Sequence, residues 1–315
     1  MLNKMQDPSQ KTSYDLIIIG AGPAGISAAL YAARQKLNFL VLTEDIGGLA
    51  NFVPSLKTYL GIHYISGYDL VSKFKEHLKD FKVPLKTGAG VKEIRKLKKG
   101  FLIKTNKGEY ESKVVIISSG RRFKKLGIKG EKEFEGKGLS FCAACEGPMF
   151  RDKTIAIIGG GRSGLFSCLF MLSIAKKIYL VEKEDSIKEG GGLREVTRII
   201  RGNRKVEIIT GAYTKEIIGN RFVNSIKIVK NKRDKTLKVD GVFVEIGYEP
   251  NTNFLRRLVK LNGRKEIVID KNNMSSMKGI FAAGDVTDIP EKQVIVSVGE
   301  GAKAVLSAIL YLERV

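Results

Sequence analysis

The chain has 315 residues, 43% of them hydrophobic, with 55 Lys and Arg against 33 Asp and Glu and a formal net charge of +22. That length supports two domains with separate cores, and the composition excludes a disordered chain. No run of about 18 uninterrupted apolar residues offers a bilayer span, three cysteines are too few for a secreted disulfide scaffold, and the polar segment Met1 to Ser13 lacks the apolar core of a signal peptide, so a cytoplasmic protein is expected.

Tyr14 to Ile19 reads as an apolar strand, followed by Gly20-Ala21-Gly22-Pro23-Ala24-Gly25, an Ala-rich helix from Ala24 to Gln35, and a second strand from Leu37 to Leu42. This is a βαβ opening with a dinucleotide fingerprint at its first turn. Its glycines permit the tight turn, the approach of backbone to a pyrophosphate, and close helix-on-strand packing. Glu44, 24 residues after Gly20, stands where a carboxylate accepts ribose hydroxyls; a solvated charge at a strand end is the competing reading.

Leu70, Phe74, Leu78 and Phe81 recur at helical spacing, and Val91 to Ile94, Phe101 to Thr105 and Val114 to Ile117 read as strands separated by Lys-Gly turns. Next comes Cys142-Ala143-Ala144-Cys145. Two intervening residues let such a pair close a small ring that leaves one sulfur open to attack. Glu146 follows at once and could hand a proton to a departing thiolate. Zinc needs about four ligands, and only Cys168, His63 and His77 remain to supply them, so no metal site is expected. Cys168, in an apolar helical run, reads as a small core residue.

A second fingerprint, Gly159-Gly160-Gly161-Arg162-Ser163-Gly164, follows the strand Thr154 to Ile158 and opens a helix from Ser163 to Ala175. The strand Ile178 to Val181 then ends at Glu182. Gly20, Gly22 and Gly25 map onto Gly159, Gly161 and Gly164 at a constant offset of 139 residues, which points to two copies of one fold. Arg162 and Ser163 stand at the helix start where phosphates are held, and Glu182, 23 residues after Gly159, repeats the ribose position of Glu44. Further β segments run from Val206 to Ile246. Ile280 to Ala283 is a short strand before Gly284-Asp285, and a terminal helix begins near Val294. An Asp at that strand end can grip a sugar-alcohol hydroxyl or cap a helix.

The spread of the cations fits a solvated lysine-rich exterior; the other reading is a surface that draws in an acidic protein. No aromatic-basic interleaving points to nucleic acid, and neither nucleic acid nor membrane is an expected partner.

The chain after the leader resembles the low-molecular-weight thioredoxin reductase family. The resemblance rests on the first fingerprint, Gly47-Gly48-Leu49, Tyr59-Leu60-Gly61, the stretch Ser140 to Gly147 around the cysteine pair, Gly159-Gly160-Gly161, Gly247 to Thr252, and Phe281 to Val286. It implies an α/β fold with two Rossmann-like dinucleotide-binding domains, the second inserted into the first. Residues 1–119 and 247–315 would bind FAD, and 120–246 would form the pyridine-nucleotide domain that carries the cysteines. The crossovers near 118–122 and 246–250 would serve as a hinge.

The resemblance further implies a homodimer that passes electrons from a reduced donor through flavin to Cys142 and Cys145, then to a thioredoxin- or glutaredoxin-like protein. Cys145 would face the flavin, Cys142 would attack the partner, and Glu146 stands where the family usually has Asp. Gly47, Gly48, Leu49, Val91, Gly120, Gln293 and Val294 are carried over as flavin contacts. Three departures are visible. Val181-Glu182-Lys183-Glu184-Asp185 replaces the His and Arg residues that clamp a 2′-phosphate, so NADH is expected over NADPH. Gly164 replaces the usual Ala, and Lys57-Thr58 replaces a common Glu-Asn flavin contact. Two other readings stay open: a reductase fed by an acidic ferredoxin with a vestigial nicotinamide site, and a non-catalytic FAD-binding redox sensor.

Overall fold

The computed structural model describes residues 13–187 and 190–314. The chain divides into two units, one ending at Arg122 and resuming at Glu249, the other spanning Phe123–Tyr248. The breaks therefore fall a few residues later than the expected 119/120 and 246/247.

The first unit opens with β1 (Ser13–Ala21), α1 (Pro23–Arg34) and β2 (Phe39–Ile46). Leu16, Ile17 and Ile18 are all fully buried, because a parallel strand covered on both faces has no solvent side to alternate with. A 3₁₀ turn (Gly48–Phe52) and α2 (Gly67–Asp80) follow. The helix starts at Ser66, whose Oγ accepts the Asp69 N–H at 3.0 Å. Then come β3 (Leu85–Lys86), β4 (Val91–Lys96), β5 (Phe101–Thr105) and β6 (Gly108–Ile117). β3, β2, β1 and β6 are parallel neighbours in that order, and β5 and β4 extend the sheet antiparallel from the first half of β6. β7 (Arg121–Phe123) carries the chain across.

The second unit contains α3 (Glu131–Phe134), β8 (Leu139–Ser140), α4 (Ala143–Glu146), β9 (Thr154–Ile158), α5 (Arg162–Met171) and β10 (Lys177–Val181). It continues through α6 (Arg194–Gly202), β11 (Val206–Ile209), β12 (Ala212–Gly219), β13 (Val223–Lys230), β14 (Arg233–Lys238) and β15 (Gly241–Val244). The parallel sheet runs β11-β10-β9-β15-β8, and β12 to β14 form a separate antiparallel sheet. α5 ends at Met171 rather than at the expected Ala175. The Ser173 hydroxyl bonds to the Phe170 carbonyl at 3.2 Å, and local bonds of that kind compete with the helix ladder.

β16 (Tyr248–Pro250) pairs with β7 as the chain returns. β17 (Ile280–Ala282) then joins the second half of β6 in parallel, and α7 (Val294–Leu312) closes the first unit. α7 is the one helix among the described residues long and apolar enough to reach across a bilayer. Glu300 and Lys303 pair at 3.1 Å in its middle, and it packs along α1 through buried Ala304, Val305 and Ala308. The approach is so close that a Cβ on Gly301 would run into the Ala24 carbonyl.

Candidate active site

In each unit one βα turn, β1–α1 in the first and β9–α5 in the second, is built from three glycines with separate tasks. Gly20 has φ +100°, and a Cβ there would fall 2.5 Å from Ser118 O; a Cβ on Gly25 would run into Gly20 O. The chain itself therefore requires both. Gly22 is different: its nearest neighbour would be Gly47 O at 4.0 Å. The second turn repeats the pattern. Gly159 has φ +112° and abuts the Glu245 carbonyl, and Gly164 abuts Gly159 O. No described atom would come within 4 Å of a Cβ on Gly161. Gly22 and Gly161 are the extended N-caps of α1 and α5, neither helix having a side-chain cap. Each middle glycine thus opens onto space beside uncapped helix amides, a cradle for a pyrophosphate. Both turns also sit where strand order reverses, between β1 and β6 and between β9 and β15, the usual crevice for ligands in such sheets.

In the first unit several expected residues converge on this turn. The Gly47 N–H donates to Ala21 O at 2.7 Å, Gly48 approaches Gly22, and Leu49 lies in the 3₁₀ turn that follows. Pro23 occupies the first helical position, where its missing N–H costs nothing. Gly284 (φ +76°) packs against Ala24 and Ser297, which leaves Asp285 at the start of α7, 3.5 Å from the Ser297 hydroxyl. Burial raises the Asp285 pKa, against the lowering charges of Arg121 and Lys292. Gln293, exposed, stands at the N-cap position of α7 without a side-chain cap bond, and Val294 packs against the cluster of Leu56, Ile65 and Leu70. Gly120 (φ +61°) follows Ser119, which flanks Gly20. Val91 opens β4 and lies against the core around Ile17 and Ile103. Glu44 is exposed and runs alongside Gly90.

In the second unit the corresponding carboxylate is engaged. Glu182 accepts the Gly160 N–H with Oε2 and the Glu184 N–H with Oε1 at 2.9 Å. Arg162 reaches Gly191 O at 3.2 Å, and the Ser163 hydroxyl donates to Glu245 O at 3.2 Å.

Cys142 and Cys145 form a disulfide between β8 and β9, with Cα atoms 5.3 Å apart. Cys142 caps α4, its Sγ accepting the Cys145 N–H at 3.2 Å; Cys142 is half-buried and Cys145 exposed. Ser140 organises the turn: its Oγ accepts the Cys142 N–H at 3.1 Å and donates to Glu146 Oε1 at 2.8 Å. Cys168 is fully buried, and burial pushes its thiol up to about 12, which makes it inert to exchange at neutral pH.

Sequence reasoning passed over the hydroxyls that shape these turns. The Ser118 hydroxyl donates to Ile19 O at 2.9 Å and Gly20 O at 3.0 Å, and Thr43 Oγ1 accepts the Ala21 N–H at 3.0 Å. It also passed over Asp45, which accepts the Gly48 N–H at 3.0 Å, and over Ser140 and Glu245. Ser118, following directly on an apolar strand as Gly20 and Gly159 do, was the one weak signal in the sequence.

Two dinucleotide-type turns with a disulfide one strand away from the second define an oxidoreductase of the disulfide-exchanging class. The profile of the pyridine nucleotide-disulphide oxidoreductase family matches residues 14–301, and the chain belongs to this family. It is similar to the F component of alkyl hydroperoxide reductase of Staphylococcus epidermidis, 37% identical over 319 residues, a match covering 99% of this chain and 62% of the relative. The chain thus spans less than two thirds of the curated relatives it matches. Among solved structures it is similar to T. acidophilum thioredoxin reductase (TM-score 0.77, 35% identity, 96% of this chain and 99% of the other). It is also similar to Lactococcus lactis thioredoxin reductase (TM-score 0.80, 29% identity, 96% and 100%).

Proposed function

We propose that the chain is an FAD-dependent disulfide reductase, using NADH in preference to NADPH, that delivers electrons to the disulfide of a thioredoxin- or glutaredoxin-like protein. The observation that carries this reading is the pair of open-sided middle glycines, Gly22 and Gly161, on either side in sequence of a closed Cys142–Cys145 bond. The first-unit cradle fits a flavin dinucleotide: Gly22 and the first amides of α1 suit its pyrophosphate, and the Asp285 carboxylate suits a polyol hydroxyl. When bound, FAD supplies two-electron transfer between nicotinamide and disulfide.

The rest is thiol chemistry of this chain. Two electrons and two protons open the disulfide to two thiols. The Cys142 thiolate attacks the partner's disulfide, forming a mixed disulfide and expelling one partner thiolate. Cys145 then attacks Cys142, releasing the second partner thiolate and restoring the intramolecular bond. Glu146, oriented by Ser140, hands a proton to a leaving thiolate. The Glu182 carboxylate beside the second glycine turn suits a free 2′-hydroxyl and opposes a 2′-phosphate, which supports NADH.

The test is anaerobic titration of the FAD-loaded protein with NADH and with NADPH, followed by a thioredoxin disulfide. NADH is expected to bleach the flavin faster, and a colourless protein unable to take up FAD, or bleaching by NADPH alone, overturns the respective part. A second reading, favoured by the 37% identity to a component of alkyl hydroperoxide reductase, places the same dithiol in the service of alkyl hydroperoxide reduction. The family resemblance also supports a homodimer, which light scattering of the loaded protein measures.

A further inference from the structure

Arg121 opens β7, three residues after Ser118, whose hydroxyl buttresses the first glycine turn. Its guanidinium serves two acceptors. Nε donates to the Asp285 carbonyl at 3.2 Å, and Nη2 donates to Oε1 of Glu266. Glu266 is fully buried; the same oxygen pairs with Lys292 Nζ at 3.5 Å, while Oε2 takes Asn262 at 2.8 Å and Arg264 at 3.0 Å. Lys292 also donates to the Thr287 carbonyl at 2.5 Å, two residues past Asp285. Thr287 closes the turn, its N–H and its hydroxyl both donating to Gly284 O, at 3.0 and 2.8 Å. The turn that presents Asp285 is thus gripped at two carbonyls by cations seated on one buried carboxylate. A buried ion cluster is a costly way to hold a loop that neutral hydrogen bonds could hold.

The charged groups around Asp285 come from each neighbouring element. β7 brings Arg121, the segment leading into α7 brings Lys292, and the segment bridged to Thr287 through Ile267 brings Glu266. Arg122 of β7 pairs with Glu249, and Asp288 accepts the Ile269 N–H at 3.3 Å. The first turn of α7 offers the Ser297 hydroxyl, 3.5 Å from Asp285 Oδ1, and α1 meets the turn through Ala24. Glu300 of α7 is taken up by Asn273 and Lys303. Burial raises the Asp285 carboxyl, and the Arg121 charge is the strongest influence against it.

We propose that Arg121 is a positioning residue for the flavin, its guanidinium tying the Asp285 backbone to Glu266 and so holding the Asp285 side chain ready for a polyol hydroxyl of the dinucleotide. The inference rests on reading the first glycine turn as the FAD site. A planar guanidinium fork serves a carbonyl and a carboxylate at once in a fixed geometry, which the single ammonium of a lysine does not reproduce. An ionised Asp285 accepts a hydroxyl in a charge-assisted bond that its protonated form cannot make. Removing the Arg121 charge therefore lets Asp285 take up its proton at higher pH, and the hold on the flavin weakens there too.

The experiment measures the FAD dissociation constant of the full loaded chain by dilution and ultrafiltration across about pH 5 to 9. The parent should hold FAD more tightly as pH rises through the Asp285 value. Arg121→Gln is expected to weaken binding about tenfold near neutral pH and to move the midpoint of the pH profile up by about one unit. Arg121→Lys keeps a cation opposite Glu266 but not the fork; it should weaken binding about threefold with the midpoint near the parent's, and it decides the matter alone if the Gln variant does not fold. Arg264→Gln takes a cation from the same buried carboxylate without touching Asp285, and its midpoint should stay at the parent's, which separates positioning from a general loosening of the cluster. Arg121 variants that bind FAD as the parent does, or an Arg264→Gln midpoint that moves as far as that of Arg121→Gln, overturn the proposal. A parent chain that takes up no FAD at any pH would instead overturn the reading of the glycine turn, so the two failures are distinct.

Discussion

Both units carry the same three-glycine turn, but they surround it with differently treated carboxylates. In the first, the strand-end Glu44 is exposed beside Gly90; in the second, Glu182 is bound by the turn itself. Two carboxylates away from the strand ends of β2 and β10 also contrast. Glu266, fully buried in the first unit, is enclosed by Arg121, Arg264 at 3.0 Å, Lys292 at 3.5 Å and Asn262 at 2.8 Å. Burial works against its charge, yet Asn262 and the three cations outweigh it and lower its pKa. Glu245 in the second unit has hydroxyl partners, and burial prevails. Backbone geometry therefore decides where an anion can be received, whereas the neighbours decide whether a resident carboxylate is a fixed structural charge or one able to titrate.

The contrast is most severely tested at the dithiol. Cys142→Ser is expected to reduce thioredoxin-disulfide turnover roughly a thousandfold or more while leaving flavin content unchanged, measured by steady-state assay and visible spectrum. Glu266→Gln leaves Asp285 as the carboxylate facing Arg121 and Lys292, strips Arg264 of its ion-pair partner, and should cost about 3 kcal/mol in denaturant melts near neutral pH. Because the folded-state pKa of Glu266 is lowered, its contribution is complete above the ordinary Glu value and lost as pH falls through the folded value. The parent should thus weaken in acid and the variant much less. Glu245→Gln should show the opposite sign, gaining on the parent as pH rises through the raised value.

Next in size, the glycines of one turn should separate by task. Gly20→Val should lower stability by about 3 kcal/mol through its positive φ and its clash with Ser118. Gly22→Val should melt close to the parent apoprotein yet fail to retain flavin, and Gly161→Val should keep flavin while losing reduction by nicotinamide. Loss of flavin in Gly161→Val would break the assignment of separate sites. The smallest effect is expected of Glu182→Ala, a rise of about tenfold in the NADPH-to-NADH ratio of kcat/KM, compared by initial rates.

Much of the scaffold was legible because it depends on local rules. Short apolar runs such as Leu16 to Ile19, bounded by glycine, favour covered strands, and glycines repeated at one offset favour turns of one kind, so β1, α1, β9 and α7 lie close to where the pattern put them. Element ends were less legible. α5 stops at Met171, where the Ser173 hydroxyl bonds back to the Phe170 carbonyl, a detail the apolar pattern does not encode. The surroundings of Asp285 and Glu245 were illegible for a related reason: their partners lie on strands and helices distant in sequence.

By itself the sequence determined that there are two copies of one glycine turn, that a cysteine pair precedes the second, and that covered parallel strands carry both. These follow from spacing and hydrophobicity, which act between near neighbours along the chain. Only the tertiary structure decided that Ser118 buttresses Gly20 from 98 residues away, that four side chains enclose Glu266, and that the Glu245 carboxylate takes the Ser167 hydroxyl from 78 residues away. Those depend on burial and on which polar groups lose their water together, quantities set when strands remote in sequence become neighbours in a sheet.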